Sequence, residues 1–201
     1  MADAARLSDV GGVLLAGGRS SRFGSEKSVA VLNGRPMMDV VAECFAPLAG
    51  FAVSARCGSA AARRAAELGL EILPDNPGFA AGPLAGVAAA MSWAQRQSFG
   101  YVATAPCDAP LLPRNLFAVL LRGIGGACAA YAVTEQGPHP LCAVWRVDLR
   151  SQLEAQLRSG GHPPVHHLLR DIGAADVRFS DDAAFANANT PAALAALEHQ
   201  A

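Results

Sequence analysis

An α/β fold on a mostly parallel sheet is what the order of apolar segments in this sequence predicts. Short apolar runs of strand length alternate with longer segments whose apolar residues recur at helical spacing, the βαβ alternation that lays successive strands parallel. Turns rich in Gly and Pro fall at the strand ends, where open sheets of this kind place their ligands. One strand pair, within residues 128–147, is joined by a turn too short for a crossover, so part of the sheet is expected to be antiparallel.

The first strand is the apolar run Val10 to Ala16, broken only by Gly11 and Gly12. It leads into Leu15-Ala16-Gly17-Gly18-Arg19-Ser20-Ser21-Arg22-Phe23-Gly24-Ser25-Glu26-Lys27. Gly17 and Gly18 open backbone N–H groups to an anion with no Cβ in the way, and Arg19, Arg22 and Lys27 place three cations within nine residues. A triphosphate suits that arrangement. The spacing is neither a P-loop nor G-x-G-x-x-G, so it points to nucleotide chemistry of another class. Ser28 to Leu32 is a short apolar stretch turned by Asn33-Gly34, and a helix is expected from Pro36 with Met37, Val40, Val41, Cys44, Phe45 and Leu48 on its apolar face. Phe51 to Ala55 reads as a second strand, Ala60 to Leu68 as a helix, and Leu70 to Leu73 as a third strand ending on Pro74-Asp75.

A loop through Asn76-Pro77-Gly78 runs into Gly82-Pro83-Leu84-Ala85-Gly86 and a helix from Pro83 to Gln97, with Leu84, Val87, Ala88, Met91 and Ala94 as its buried stripe. The small residues Ala81, Gly82, Ala85 and Gly86 either let a ligand approach the helix N-terminus or let the helix pack closely on the sheet; both readings stand at this point. Tyr101 to Ala105 is a fourth strand that runs into Pro106-Cys107-Asp108-Ala109-Pro110. A carboxylate just past the end of a central strand, restricted by two prolines, suits a Mg²⁺ ligand beside a triphosphate better than a cap for the helix expected over residues 113–122. Cys128 to Thr134 and Leu141 to Val147 form the antiparallel pair around Glu135-Gln136-Gly137-Pro138. His139, in the connection, is either structural or a donor to an anionic ligand. Leu149 to Leu157 is a helix ended by Gly160-Gly161, Val165 to Leu169 a short helix and Val177 to Phe179 a short strand. In the last helix Thr190 is the N-cap and Pro191 the first residue.

At 201 residues the chain is expected to be one domain, 1–201. Apolar residues make up 52% and charged residues 16%, with a net charge of −1, so nothing attracts nucleic acid or a membrane surface globally. No apolar run approaches the roughly 18 residues of a membrane span, and the first residues lack a secretory apolar segment. A cytoplasmic protein is expected. Its five cysteines, Cys44, Cys57, Cys107, Cys128 and Cys142, form no C-x-x-C and read as reduced, mostly buried thiols. His162, His166 and His167 cluster, but Pro163 and Pro164 break the helical spacing that a metal site would use.

Leu15 to Gly18 with Arg22, Phe23, Gly24 and Lys27, then Gly82 to Gly86, Pro106-Cys107-Asp108, His139-Pro140 and Asn187-Ala188-Asn189-Thr190-Pro191, resemble in order the molybdenum cofactor guanylyltransferases of the MobA type. The resemblance implies a three-layer α/β/α sandwich, Rossmann-like, with a mostly parallel sheet and an antiparallel portion. It implies transfer of GMP from Mg-GTP to the terminal phosphate of molybdenum-molybdopterin, with pyrophosphate leaving. Carried across, Leu15, Ala16, Gly17, Gly18, Ser54 and Asp75 belong to the GTP pocket, Lys27 and Arg22 to the phosphates, and Asp108 to Mg²⁺. Gly82, Pro83, Leu84, His139 and Asn189 belong to the molybdopterin side. Transient contact with cofactor-insertion proteins or recipient molybdoenzymes also follows from it. The chain departs from the family pattern at Phe23, where Met is usual, at Glu26, where Asp is common, at Ser54, where Asn is frequent, and at Pro163-Pro164, where arginine is frequent. A cytidylyl or sugar-phosphate transferase, or a carrier of the finished cofactor, remains as an alternative.

Overall fold

The computed structural model describes residues 6–17, 26–79 and 82–198. Its strands are β1 (Val10–Leu15), β2 (Val31–Leu32), β3 (Arg35–Pro36), β4 (Gly50–Ser54), β5 (Glu71–Leu73), β6 (Tyr101–Pro106), β7 (Ala129–Thr134), β8 (Gly137–Arg146) and β9 (Ala175–Arg178). The helices are α1 (Met37–Ala42), α2 (Ala60–Glu67), α3 (Pro83–Arg96), α4 (Leu116–Gly123), α5 (Arg150–Arg158), α6 (Val165–Asp171) and α7 (Pro191–Glu198). A seven-stranded sheet runs in the order β5-β4-β1-β6-β8-β7-β9. Every pairing is parallel except those of β8, which opposes both β6 and β7.

Two cores cover the faces of this sheet. Val41 of α1, Ala61 and Ala65 of α2, and Leu116, Phe117 and Leu120 of α4 pack on one face; Leu84, Val87 and Met91 of α3, Leu153 and Leu157 of α5, and Leu168 and Leu169 of α6 pack on the other. The three layers follow from the period of the sequence: helices bury one stripe, while central strands are apolar on both sides. Gly11 and Gly12 thin the central strand where aromatics press on it. A Cβ on Gly11 would lie 2.5 Å from the Phe99 ring on one face, and a Cβ on Gly12 would lie 2.4 Å from the Phe45 ring on the other. A third, smaller cluster joins Leu32, Met37, Ala188, Leu194 and Leu197, so α7 folds back onto the β2–β3 hairpin.

Most elements fall within a residue or two of their sequence expectation. Asn33 and Gly34, both at positive φ, close the β2–β3 hairpin. The helix after Pro36 is shorter than expected, and its last residues, Glu43–Phe45, tighten into a 3₁₀ turn. Met38 takes the fully buried place expected for Val40. The helix expected from residue 113 begins at Leu116.

The clearest correction concerns β8. Its expected start at Leu141 moves back to Gly137, so Pro138, His139 and Pro140 belong to the strand and the turn shrinks to Glu135-Gln136. The register explains the prolines. Thr104 pairs with Ala143, β6 ends at Pro106, and the first residues of β8 have therefore run past β6 and keep a sheet neighbour only on the β7 side. A sheet tolerates proline in that one-sided position. Among the described residues no helix is long and apolar enough to cross a membrane. Cys44 and Cys142 are buried, Cys57 is exposed, and none of the five cysteines is bridged.

Candidate active site

The carboxyl ends of the parallel strands are tied together before any ligand is considered. The Ala16 amide donates to the Ser54 carbonyl at 2.8 Å, the Cys107 amide to the Leu15 carbonyl at 3.1 Å and the Ala55 amide to the Leu73 carbonyl at 3.2 Å. The loops after β1, β4, β5 and β6 thus leave one rim. Gly17 sits there facing Asp75: a Cβ on Gly17 would come 4.0 Å from the Asp75 carboxylate. Burial pushes the Asp75 carboxyl above the usual 3.8. Gly18, Arg19 and Arg22 lie outside the described residues.

Lys27 is the centre of the described site. It is also the only lysine of the 201 residues, the other fifteen basic side chains being arginines. Its ammonium donates to Asp108 Oδ2 at 2.5 Å and to Asn189 Oδ1 at 2.7 Å. Lys27 and Asp108 keep 17% and 18% of their side-chain surface, enough for a ligand to reach and little enough to strengthen the charge interaction. Asp108 is held by its backbone as well, because its carbonyl accepts from the Ala188 amide at 2.8 Å. That bond brings the Asn187–Asn189 segment to the end of β6. Asn189, expected on the molybdopterin side, therefore shares the Lys27 ammonium with Asp108, the residue expected to hold the metal.

Lys27 is itself clamped by the preceding residue. Glu26 Oε2 accepts from the Ala60 amide at 2.5 Å and the Ala61 amide at 3.2 Å, the first two donors of α2, while Ser59 caps the third through Ala62 at 3.1 Å. Arg56 reaches the other oxygen of Glu26 at 3.5 Å. The sequence shows Glu26 only as an acidic neighbour of the lysine. Its partner is 34 residues away, so no local pattern could have revealed the contact.

On the opposite side of the rim, α3 begins at Gly82, whose φ of +156° and ψ of 177° suit glycine. The same position has no room for a side chain: a Cβ there would meet the His162 ring at 2.4 Å. His162 Nε2 is buried with no hydrogen-bond partner among the described residues. Gly86, one turn on, admits Leu15 and the Ser54 hydroxyl, each 3.2 Å from where a Cβ would stand. These contacts at Gly82 and Gly86 are those of the packing reading, which brings the start of α3 against His162, Leu15 and Ser54; Ala81 lies outside the described residues. Leu84 is wholly buried in the core, which leaves its backbone rather than its side chain for a ligand, and Ser54 is 2% exposed.

His139 reaches this rim on the overhanging start of β8. One ring nitrogen lies 3.1 Å from the Thr134 hydroxyl, and the ring packs against Phe185 at 4.6 Å. Burial lowers its pKa, an effect that the nearby Asp182 opposes. His166 and His167 pack against each other at 4.4 Å. Among the described residues no group of three His, Cys, Asp or Glu side chains converges as a metal cage.

The sheet order, its single reversed strand and a rim carrying a lysine–aspartate pair define the nucleotidyltransferase type of α/β protein. Solved structures with this fold include molybdopterin-guanine dinucleotide biosynthesis protein A from Archaeoglobus fulgidus, with a TM-score of 0.73 at 23% identity over 94% of this chain and 97% of that one. They also include 2-C-methyl-D-erythritol 4-phosphate cytidylyltransferase from Thermus thermophilus, with a TM-score of 0.67 at 17% identity over 94% and 96%. The chain belongs to the MobA-like NTP transferase family, whose domain matches residues 12–179. The molybdenum cofactor guanylyltransferase of Yersinia pestis (strain Pestoides F) is 36% identical over 187 residues, 92% of each chain. The protein is a nucleotidyltransferase.

Proposed function

We propose that this chain, acting as one domain over residues 1–201, transfers GMP from GTP to the terminal phosphate of molybdenum-molybdopterin. The observation that carries the reading is the meeting of Lys27, Asp108 and Asn189 within 2.7 Å at a sheet rim, in a chain 36% identical to a named guanylyltransferase.

The chemistry needs little acid or base work, because a phosphate monoester is already nucleophilic near neutral pH. An oxygen of that phosphate attacks the α-phosphorus of GTP, the bond from the α-phosphorus to the bridging oxygen breaks, and pyrophosphate leaves with the electron pair. The protein must align the two phosphates and neutralise charge on the departing group. Lys27 supplies the cation for the leaving oxygens, and Gly17 leaves room for the nucleotide to approach the backbone. Asp75 offers an acceptor to the donor edge of guanine. Asn189, held near Asp108, orients the acceptor phosphate together with the Gly82 and Pro83 backbone and His139.

Asp108 fits a divalent ion. It presents one partly exposed carboxylate beside the Lys27 ammonium, and Mg²⁺ takes one or two carboxylates while completing its shell with phosphate and water. Mg²⁺ bound there supplies a second positive charge to the triphosphate. In the loaded state the Lys27 ammonium turns to phosphate oxygens and frees the Asp108 carboxylate.

The test is incubation with Mg-GTP and molybdenum-molybdopterin, measuring pyrophosphate and the dinucleotide product. Formation of both with GTP and of neither with CTP supports the reading. A preference for CTP, or cofactor binding without pyrophosphate release, overturns it.

A further inference from the structure

We infer that Glu26 is a positioning residue for Lys27: its carboxylate, docked on the N-terminus of α2, sets where the lysine ammonium stands. The inference rests on the proposed transfer reaction for its kinetic consequence, but its geometry is independent of it.

A helix start needs partners for its first amides, and they are ordinarily supplied by residues just before it. Here Ser59 supplies one, and the two preceding donors, on Ala60 and Ala61, go to a carboxylate from 34 residues earlier in the chain. The α2 end of that contact is rigid, since Ala61 and Ala65 are fully buried against the sheet. The acidic charge suits the positive end of the helix, and Arg56 adds a weaker contact at 3.5 Å.

The next residue carries the fixed geometry directly to the ammonium. The Val29 amide donates to the Glu26 carbonyl at 3.2 Å and the Ala30 amide to the Lys27 carbonyl at 3.1 Å, which closes a 3₁₀ turn around Lys27. The Met37 amide then donates to the Ala30 carbonyl at 2.8 Å, tying the far end of the turn to α1. Lys27 thus leaves a backbone held on both sides, by Glu26 on α2 and by Ala30 on α1. Its side chain spans from there to Asp108 and Asn189. Docking on α2 also keeps the Glu26 carboxylate on partners of its own while the adjacent ammonium meets Asp108.

A double-mutant cycle tests the coupling. Glu26→Ala is expected to lower kcat/KM for GMP transfer by about 10- to 100-fold, the range for a displaced catalytic group. Glu26→Gln, which keeps an acceptor oxygen, should recover much of the loss. The double variant Glu26→Ala with Lys27→Ala should be no worse than Lys27→Ala alone. Losses that multiply in the double variant, or a Glu26→Gln enzyme as poor as Glu26→Ala, overturn the inference.

A second measurement does not depend on turnover. Because Lys27 is the only lysine, labelling with pyridoxal phosphate and borohydride reports its environment alone once the N-terminal amine is counted separately. Faster labelling of Lys27 in folded Glu26→Ala than in the wild type, with Glu26→Gln close to the wild type, supports the inference, and an unchanged rate in Glu26→Ala overturns it. If the wild type makes no dinucleotide, the proposed function falls while the labelling result still decides the role of Glu26.

Discussion

Lys27 and Asp108, 81 residues apart in the chain, meet at 2.5 Å, the lysine at the start of the 3₁₀ turn Lys27–Val29 and the aspartate just past the end of β6. The pair is partly exposed, so its worth to stability is small beside its worth to a ligand. A triphosphate with its divalent ion presents opposite charges to both partners and can replace the contact that each loses.

Removing the charge from Asp108 should therefore cost activity and leave the fold. Asp108→Asn keeps the shape of the side chain and is expected to lower GMP transfer by roughly 10²–10³-fold, the scale of removing one electrostatic group from a preorganised site. Pyrophosphate release and far-UV circular dichroism, measured on the same sample, check both halves.

Lys27→Ala should weaken GTP binding by roughly 1.5–3 kcal/mol, the worth of a hydrogen bond to a charged group. Calorimetric titration with GTP reads this directly, and unchanged affinity would remove Lys27 from the phosphate site.

Gly82→Ala should destabilise the protein by about 1–3 kcal/mol, for it forces an L side chain into a glycine conformation and against His162. The companion change His162→Ala removes the ring 2.4 Å from the new Cβ. In urea unfolding the double variant should regain the steric part of the loss and keep the backbone part.

Thr104 is fully buried, accepts from Trp145 Nε1 at 3.0 Å and donates to the Leu141 carbonyl at 2.9 Å. Thr104→Val leaves the indole N–H unsatisfied in the core and should cost about 1–3 kcal/mol. Thr104→Ser restores the acceptor, so its unfolding midpoint should lie closer to that of the wild type.

Glu154 links α3 to α5. Burial alone would raise its carboxyl pKa, but hydrogen bonds from Arg150, Ser92 and Arg158 outweigh burial and hold it below the usual 4.5. A carboxylate with a lowered folded-state pKa stabilises the fold above its unfolded value and loses that contribution as pH falls through the folded one. The stability gap between wild type and Glu154→Gln should therefore be full above about pH 4.5 and shrink in more acid solution. Denaturant melts across that range measure it.

How much of this is legible in the residues depends on how local the physics is. The strands β1, β4 and β6 and the helix from Pro83 are plain from apolar period and turn chemistry. The start of β8 is not: Pro138 and Pro140 argue against a strand unless one knows that β8 outruns β6. Lys27, Asp108 and Asn189 each stand out in the sequence, yet the family resemblance puts Asn189 with the other substrate. Its meeting with the lysine depends on the Ala188 amide bonding to the Asp108 carbonyl, a contact between distant loops. Glu26 shows its residue type and nothing more, because its function depends on where α2 begins.

The reversed direction of β8 has an evolutionary reading. In the proposed reaction the nucleotide half of the rim lies where parallel strands end, and the chain after β4, β5 and β6 leads there into the helices α2, α3 and α4 that support the sheet. The same rim also receives the beginning of a strand, β8, reached from β7 through the two-residue turn Glu135-Gln136. A turn that projects beyond the sheet can lengthen or change sequence with no helix to displace. On the proposed reading, changes in this hairpin would retune the side that receives the nucleotide while leaving the Lys27–Asp108 contact as it is.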